Sequence, residues 1–386
     1  MSLAELRELE RAYAIPTYVR NPVQFVRGEG VRLWDEEGNE YLDFLAGISV
    51  LNVGHCHPRV IAAVQEQVTR LTHVTNLYYT EPAMLLSKAL SESSLRGKVF
   101  FANSGAEANE AAIKLARRAK PGGEIVVLRD AFHGRTFGAL SATPQEAKQA
   151  PFAPLVPGFV PVAKEPEALA AVVGPQTAAV LLEPIQGEGG VLPIADELLL
   201  AARALCDQFD AALIFDEVQT GMGRTGSLWA YEQTPVVPDA LTTAKALGGG
   251  LPIGALITGP RLADVLEPGD HGSTCAGGPV ICAAALVALE ICADPALLES
   301  VVTLGERFAA ALEELPFVTS VRGRGLLLGA ELAPEISAVD IARRALTEER
   351  LVINATGPSS LRMEPPLIVT EAEIDDAVAR IGRLVR

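Results

Sequence analysis

The segment 241–255, LTTAKALGGGLPIGA, sets one lysine, Lys245, among threonine, alanine, leucine and glycine, with no acid in its own segment to pair with it. An ammonium in apolar surroundings loses hydration, its pKa falls, and the free amine becomes a nucleophile for a carbonyl. Glycines 248 to 250 leave room for a bulky adduct. The run ALIFDEVQT ends on Asp216 and Glu217, and a carboxylate there requires a cationic partner or a protonated ligand atom. In NSGAEANE (103–110), Gly105 admits close approach of an anion. The N–H groups of the helix that follows lend partial positive charge, with Asn103 or Ser104 as its N-cap.

An anion cradle, a strand-end aspartate and a desolvated lysine together meet the needs of pyridoxal phosphate. That cofactor requires a phosphate site, an acid that keeps its ring nitrogen protonated, and a lysine amine to attach its carbonyl. Phe132 or His133, at the end of another strand, is placed to stack on the ring. The turn after Asp216 also spells G-x-G-x-x-G (Gly221, Gly223, Gly226). A dinucleotide site needs a full helix there, and SLWAYEQT is cut off by Pro235, so the glycines read as a tight turn. His55-Cys56-His57 lacks a zinc-ligand spacing and runs into Pro58, which makes it a structural turn opening a helix.

These groups need a scaffold that delivers them to one place. KVFFANSG, EIVVLRDAFHG, TAAVLLEPIQG, ALIFDEVQT and PIGALITG read as strands, with helices over GAEANEAAIKLARRAK and ELLLAARALCDQF. Continuous apolar strands interleaved with helices predict an α/β domain around a mostly parallel sheet, which binds ligands at its strand ends. Beyond the long helix near 279–293 the pattern changes to a smaller α+β lobe, with SVRGRGLLLGAEL as a strand, AVDIARRALTEE as a helix, short strands at LVINA and SLRMEPPLIV, and a last helix from Glu371. The expected organisation is a large domain over 49–286 and a small domain over 287–386. The segment 1–48 joins the small domain through a hairpin around Glu37-Gly38-Asn39.

Composition narrows the function classes. Lys+Arg 32 against Asp+Glu 48 gives a net charge of −16, which argues against a nucleic-acid partner. An anionic substrate must therefore be held by local arginines. No apolar run reaches the length of a membrane span, and the acidic amphipathic N-terminus is unlike a secretory or transit peptide. The five cysteines are odd in number and mostly in apolar settings, which predicts buried thiols in a reducing compartment, the cytoplasm.

IFDEVQTGMGRTG, TTAKALGGGLPIGA, EPIQGEGG, NSGAEANE and FHGRT together resemble the class III pyridoxal-phosphate-dependent aminotransferases, nearest their acetylornithine and ornithine branch. The resemblance runs from near Arg20 to the C-terminus. It implies a fold-type I enzyme, a homodimer with shared active sites, that moves the terminal amine of N-acetylornithine or another ω-amine to 2-oxoglutarate. It also implies roles. Lys245 attaches the cofactor and then shuttles the proton, Asp216 pairs with the ring nitrogen, and Phe132 stacks on the ring. Val218 and Gln219 lie beside the ring, while Ser104, Gly105 and Ala106 hold the phosphate, aided by Thr274 of the partner subunit. Arg135 and Arg362 bind substrate carboxylates, Glu188 neutralises Arg362 when no carboxylate is present, and Glu183 buttresses that wall. Ser273 and Tyr18 complete the substrate side. The chain departs from the family pattern at Ala106, where many relatives carry threonine, and at Cys275, Ala276 and Gly278 in STCAGGP.

Overall fold

The computed structural model describes residues 1–385. After the helix Leu3–Tyr13 come β1 (Phe25–Glu29), β2 (Arg32–Asp35) and β3 (Glu40–Asp43). The middle of the chain holds β4 (Val99–Ala102), β5 (Glu124–Leu128), β6 (Phe159–Val162) and β7 (Thr177–Leu182). There follow β8 (Ile185–Gln186), β9 (Leu192–Pro193), β10 (Ala212–Asp216), β11 (Ala240–Thr243) and β12 (Gly254–Thr258). Toward the C-terminus lie β13 (Val318–Arg324), β14 (Leu327–Leu332), β15 (Leu351–Val352), β16 (Asn354–Ala355) and β17 (Ser360–Met363).

The central sheet has seven strands in the order β4-β12-β11-β10-β7-β5-β6, and β12 alone runs against the rest. β7 and β10 are buried along their whole length, as expected of parallel strands covered by helices on both faces. The helix Gly105–Ala119 lays Ala108, Ala111, Ala112, Leu115 and Ala116 against this sheet. Those small side chains let it sit close, and one polar residue, Asn109, shares the buried face.

β15 pairs in parallel with β3, so the N-terminal strands and the C-terminal region share one sheet. The hairpin between β2 and β3 turns at Gly38, with φ 84°, as expected for a glycine turn. Two sequence expectations need correction. SVRGRGLLLGAEL is not one strand but the hairpin β13–β14, because Gly325 takes φ 56° and a Cβ there would meet the backbone of Thr225 at 2.6 Å. The strand predicted over EIVVLRDAFHG ends at Leu128, which leaves Phe132 and His133 in the loop beyond it.

Candidate active site

Four strand ends meet at one edge of the central sheet. β10 ends on Asp216, β11 stops two residues before Lys245, β4 runs into the turn that opens the helix Gly105–Ala119, and the loop after β5 carries Phe132 and His133. Together they enclose a cleft of ≈ 510 Å³ lined by Ser104, Gly105, Ala106, Phe132, His133, Arg135, Glu183, Asp216, Val218, Gln219 and Lys245, among others.

Asp216 is buried and fixed from three sides. Its Oδ2 accepts from Asn109 Nδ2 at 2.7 Å and lies 2.8 Å from His133 Nδ1, while its Oδ1 accepts from the Val218 N–H at 3.0 Å. A carboxylate only accepts, so His133 carries its proton on Nδ1. Three of roughly four lone-pair positions are thereby taken, and one on Oδ1 remains for a ligand N–H. Asn109 is itself held: its Oδ1 accepts from Thr242 Oγ1 at 2.7 Å, and Thr242 stands beside Asp216 in the β10–β11 register. His133 thus reaches the back of Asp216, while Phe132 remains the aromatic of this loop free to meet a ring.

At the cradle, Ser104 caps the helix by accepting from the Glu107 N–H at 3.2 Å. The first-turn N–H groups of Gly105 and Ala106 have no partner within the helix. Gly105 is required by space, since a Cβ would sit 2.7 Å from Val218 Cγ1. Gly134 is equally confined, with Ala106 Cβ at 2.6 Å from where its own Cβ would be.

Lys245 takes φ 44°, a left-handed setting that costs a non-glycine residue on the order of 1–3 kcal/mol and is kept where function requires it. Its Nζ donates to Gln219 Oε1 at 3.0 Å. Burial holds the Lys245 amine below the ordinary lysine range; Glu364 pulls it back up and Arg362 pushes it further down. Arg362, fully buried, donates through Nη1 to Glu188 Oε1 at 2.8 Å and through Nε to Asn354 Oδ1 at 3.2 Å. Burial works against the Glu188 carboxylate, but Arg362 outweighs it and holds Glu188 below the usual range. Glu183 accepts from the Phe132 N–H at 3.3 Å, and burial, reinforced by Asp216, pushes its carboxyl well above the ordinary value.

Other predicted residues lie at the rim or away from the cleft. Arg135 is exposed, with its guanidinium 5.7 Å from the Phe132 ring centroid. Ser273 accepts from Asn103 Nδ2 at 3.0 Å, and Thr274 beside it is exposed. Tyr18 is 72% exposed and packs against Arg20, so one chain does not bring it to its own cleft. His55 bonds Asp43 at 2.7 Å and His57 caps the helix Pro58–Arg70, which gives both histidines structural work.

The family description Aminotransferase class-III matches residues 14–385. The chain belongs to the class-III aminotransferases. It is 48% identical over 381 residues to the acetylornithine aminotransferase of Caldanaerobacter subterraneus subsp. tengcongensis, covering 96% of each chain. The ornithine aminotransferase of Toxoplasma gondii, in a crystal structure with partial occupancy of pyridoxal phosphate, superposes with a TM-score of 0.93 at 35% identity, covering 99% of this chain and 94% of that one. The N-acetylornithine aminotransferase of Stenotrophomonas maltophilia gives 0.83 at 36% identity over 98% of each chain. This aminotransferase therefore has the fold-type I architecture and the enzymatic class that its motifs implied.

Sequence reading missed Asn109, Thr242 and Glu364. Asn109 announced itself as one polar residue on an otherwise small apolar helix stripe, and Glu364 as an acid two positions from Arg362, hence on the same side of an extended segment. Neither signal carries chemistry until the tertiary partner is known.

Proposed function

We propose that this class-III aminotransferase transfers the terminal amino group of N-acetylornithine to 2-oxoglutarate, giving N-acetylglutamate semialdehyde and glutamate, with pyridoxal phosphate as cofactor. The family depends on that cofactor, and the residues present fit it. The unpaired N–H groups at Gly105 and Ala106 suit its phosphate, the open position on Asp216 Oδ1 suits a protonated ring nitrogen, and Lys245 is a desolvated amine. When bound, pyridoxal phosphate supplies an electron sink for the pair left on the substrate carbon as it loses its proton. Asp216, held in orientation by Asn109 and His133, would keep the positive charge on the ring nitrogen. Phe132, which lines the cleft, would stack on the ring. Lys245 Nζ takes the proton from the substrate carbon and returns it elsewhere, a task for which an amine of lowered pKa is suited.

The observation that carries the substrate reading is the Arg362–Glu188 pair, 2.8 Å apart, with Arg362 buried and Glu188 part-exposed. A donor whose reacting end is a plain amine leaves the pair closed. Glutamate or 2-oxoglutarate brings an α-carboxylate that displaces Glu188 and takes the guanidinium fork. Arg135 at the mouth suits the second carboxylate, or that of N-acetylornithine. Curated relatives named for acetylornithine support the acetylated donor. Free ornithine is the second reading, favoured by the likeness to the Toxoplasma enzyme.

The same proposal includes a homodimer that completes each site with Thr274 of the partner subunit, supported by the exposure of Leu77, Tyr78 and Tyr79 on one chain. The five free thiols support a reducing cytoplasm. Purified with pyridoxal phosphate, the protein should show the visible absorbance of lysine-bound cofactor, and Lys245→Ala should lack both that band and all turnover. A Lys245→Ala protein that retained turnover would overturn the assignment.

A further inference from the structure

Beyond the Arg362–Glu188 pair lies a second carboxylate that the motifs did not predict. Glu364 is fully buried. Its Oε1 stands 2.6 Å from Arg362 Nε, an ion contact not aligned as a hydrogen bond, and its Oε2 accepts from Gln219 Nε2 at 2.8 Å and from Ser49 Oγ. Gln219 then presents Oε1 to Lys245 Nζ at 3.0 Å. The result is one unbroken polar chain: Glu188, Arg362, Glu364, Gln219, Lys245.

We propose that Glu364 is a positioning residue that couples the substrate-binding guanidinium of Arg362 to the amine of Lys245. Two physical points carry it. An amide has one donor end and one acceptor end, and a carboxylate only accepts, so Glu364 forces the Nε2 of Gln219 toward itself and the Oε1 toward Lys245. Glu364 also lies against Arg362 Nε, whose N–H donates to Asn354 Oδ1, while Glu188 takes Nη1. When Glu188 gives way to a substrate carboxylate, that contact keeps the guanidinium in place and keeps a resident negative charge beside it. Glu188 is the part-exposed partner that can leave, while Glu364 is the sealed one that stays.

The inference rests on the cofactor reading above, and its test separates the two. The charged groups facing Lys245 are Glu364, Arg362, Glu188, Asp216 and Glu183. Removing one anion from that set disfavours a protonated nitrogen at Lys245. In cofactor-loaded protein, the pH transition of the visible band should therefore fall by about one pH unit in Glu364→Gln, with a raised KM for 2-oxoglutarate. Glu364→Asp keeps the charge but shortens the reach to Gln219, and should move the transition the same way by less. A transition unmoved in both variants overturns the coupling, as does failure of both to fold, which would make Glu364 purely structural. Absence of a visible band in the wild type would instead defeat the cofactor reading itself.

Discussion

Asp216 shows how much of a functional carboxylate lies outside its own sequence motif. The strand-end position was readable, because a charge closing an apolar run must be paired, and so was Lys245, because a lone cation among alanine and glycine has no solvent-facing excuse. What turns Asp216 toward the cleft is Asn109, set among the buried alanines of its helix, and Thr242, which donates to Asn109. Asn109→Ala should leave the His133 carbonyl, Thr242 and Asp216 each short of a partner, costing about 1–3 kcal/mol of stability in denaturant unfolding. An unchanged midpoint and slope would contradict this network. Lys245 carries a pH prediction. Only the neutral amine attaches a carbonyl, and burial lowers its folded pKa, so uptake of pyridoxal phosphate by the cofactor-free protein should titrate below 10.5, the ordinary lysine value, and be lost as pH falls. A rate that titrates at 10.5 would show an amine open to water.

At the scale of elements, the site is a consequence of strand direction. Six of the seven strands point one way, so the ends of β4, β5, β10 and β11 deliver cradle, aromatic, aspartate and lysine to one edge. Apolar runs alternating with helices made that architecture legible in advance. The β13–β14 hairpin was not, since its turn rests on Gly325 seated against Thr225, a contact distant in sequence. The junction of β4 with the helix Gly105–Ala119 is the element most sensitive to a single atom. Gly105→Ala would place a methyl 2.7 Å from Val218 Cγ1 and push the helix start away from the anion. Cofactor affinity should fall on the order of tenfold, about 1.4 kcal/mol, read by equilibrium titration of the visible band, with the far-ultraviolet dichroism unchanged. Wild-type affinity in this variant would contradict the cradle.

For the whole molecule, a positive mean hydropathy of +0.25 on a chain with no single helix long and apolar enough to cross a membrane, among the described residues, leaves apolar surface to cover. Leu77, Tyr78 and Tyr79 are 86%, 70% and 92% exposed on one chain, next to Asn76, whose Nδ2 holds the carbonyls of Ser273 and Ala276. A second copy packed there would bury that stretch and bring Thr274 to the neighbouring cleft. Leu77→Asp combined with Tyr79→Asp should yield monomers in sedimentation, with turnover reduced by at least about tenfold, a loss of roughly 1.4 kcal/mol of transition-state stabilisation. A fully active monomer would contradict shared sites. This level was the least legible in sequence, because an exposed aromatic in a loop looks the same whether water or a partner covers it.

The most direct test of the central claim is a single-donor half-reaction. Cofactor-loaded protein, without any keto acid, is mixed in turn with N-acetylornithine, ornithine and glutamate while the visible band is followed. N-acetylornithine and glutamate should bleach the band fast and ornithine slowly, and Arg362→Ala should lose the glutamate response alone. Bleaching by glutamate but not by N-acetylornithine would contradict the proposed donor, and a glutamate response intact in Arg362→Ala would contradict the role of the Arg362–Glu188 pair.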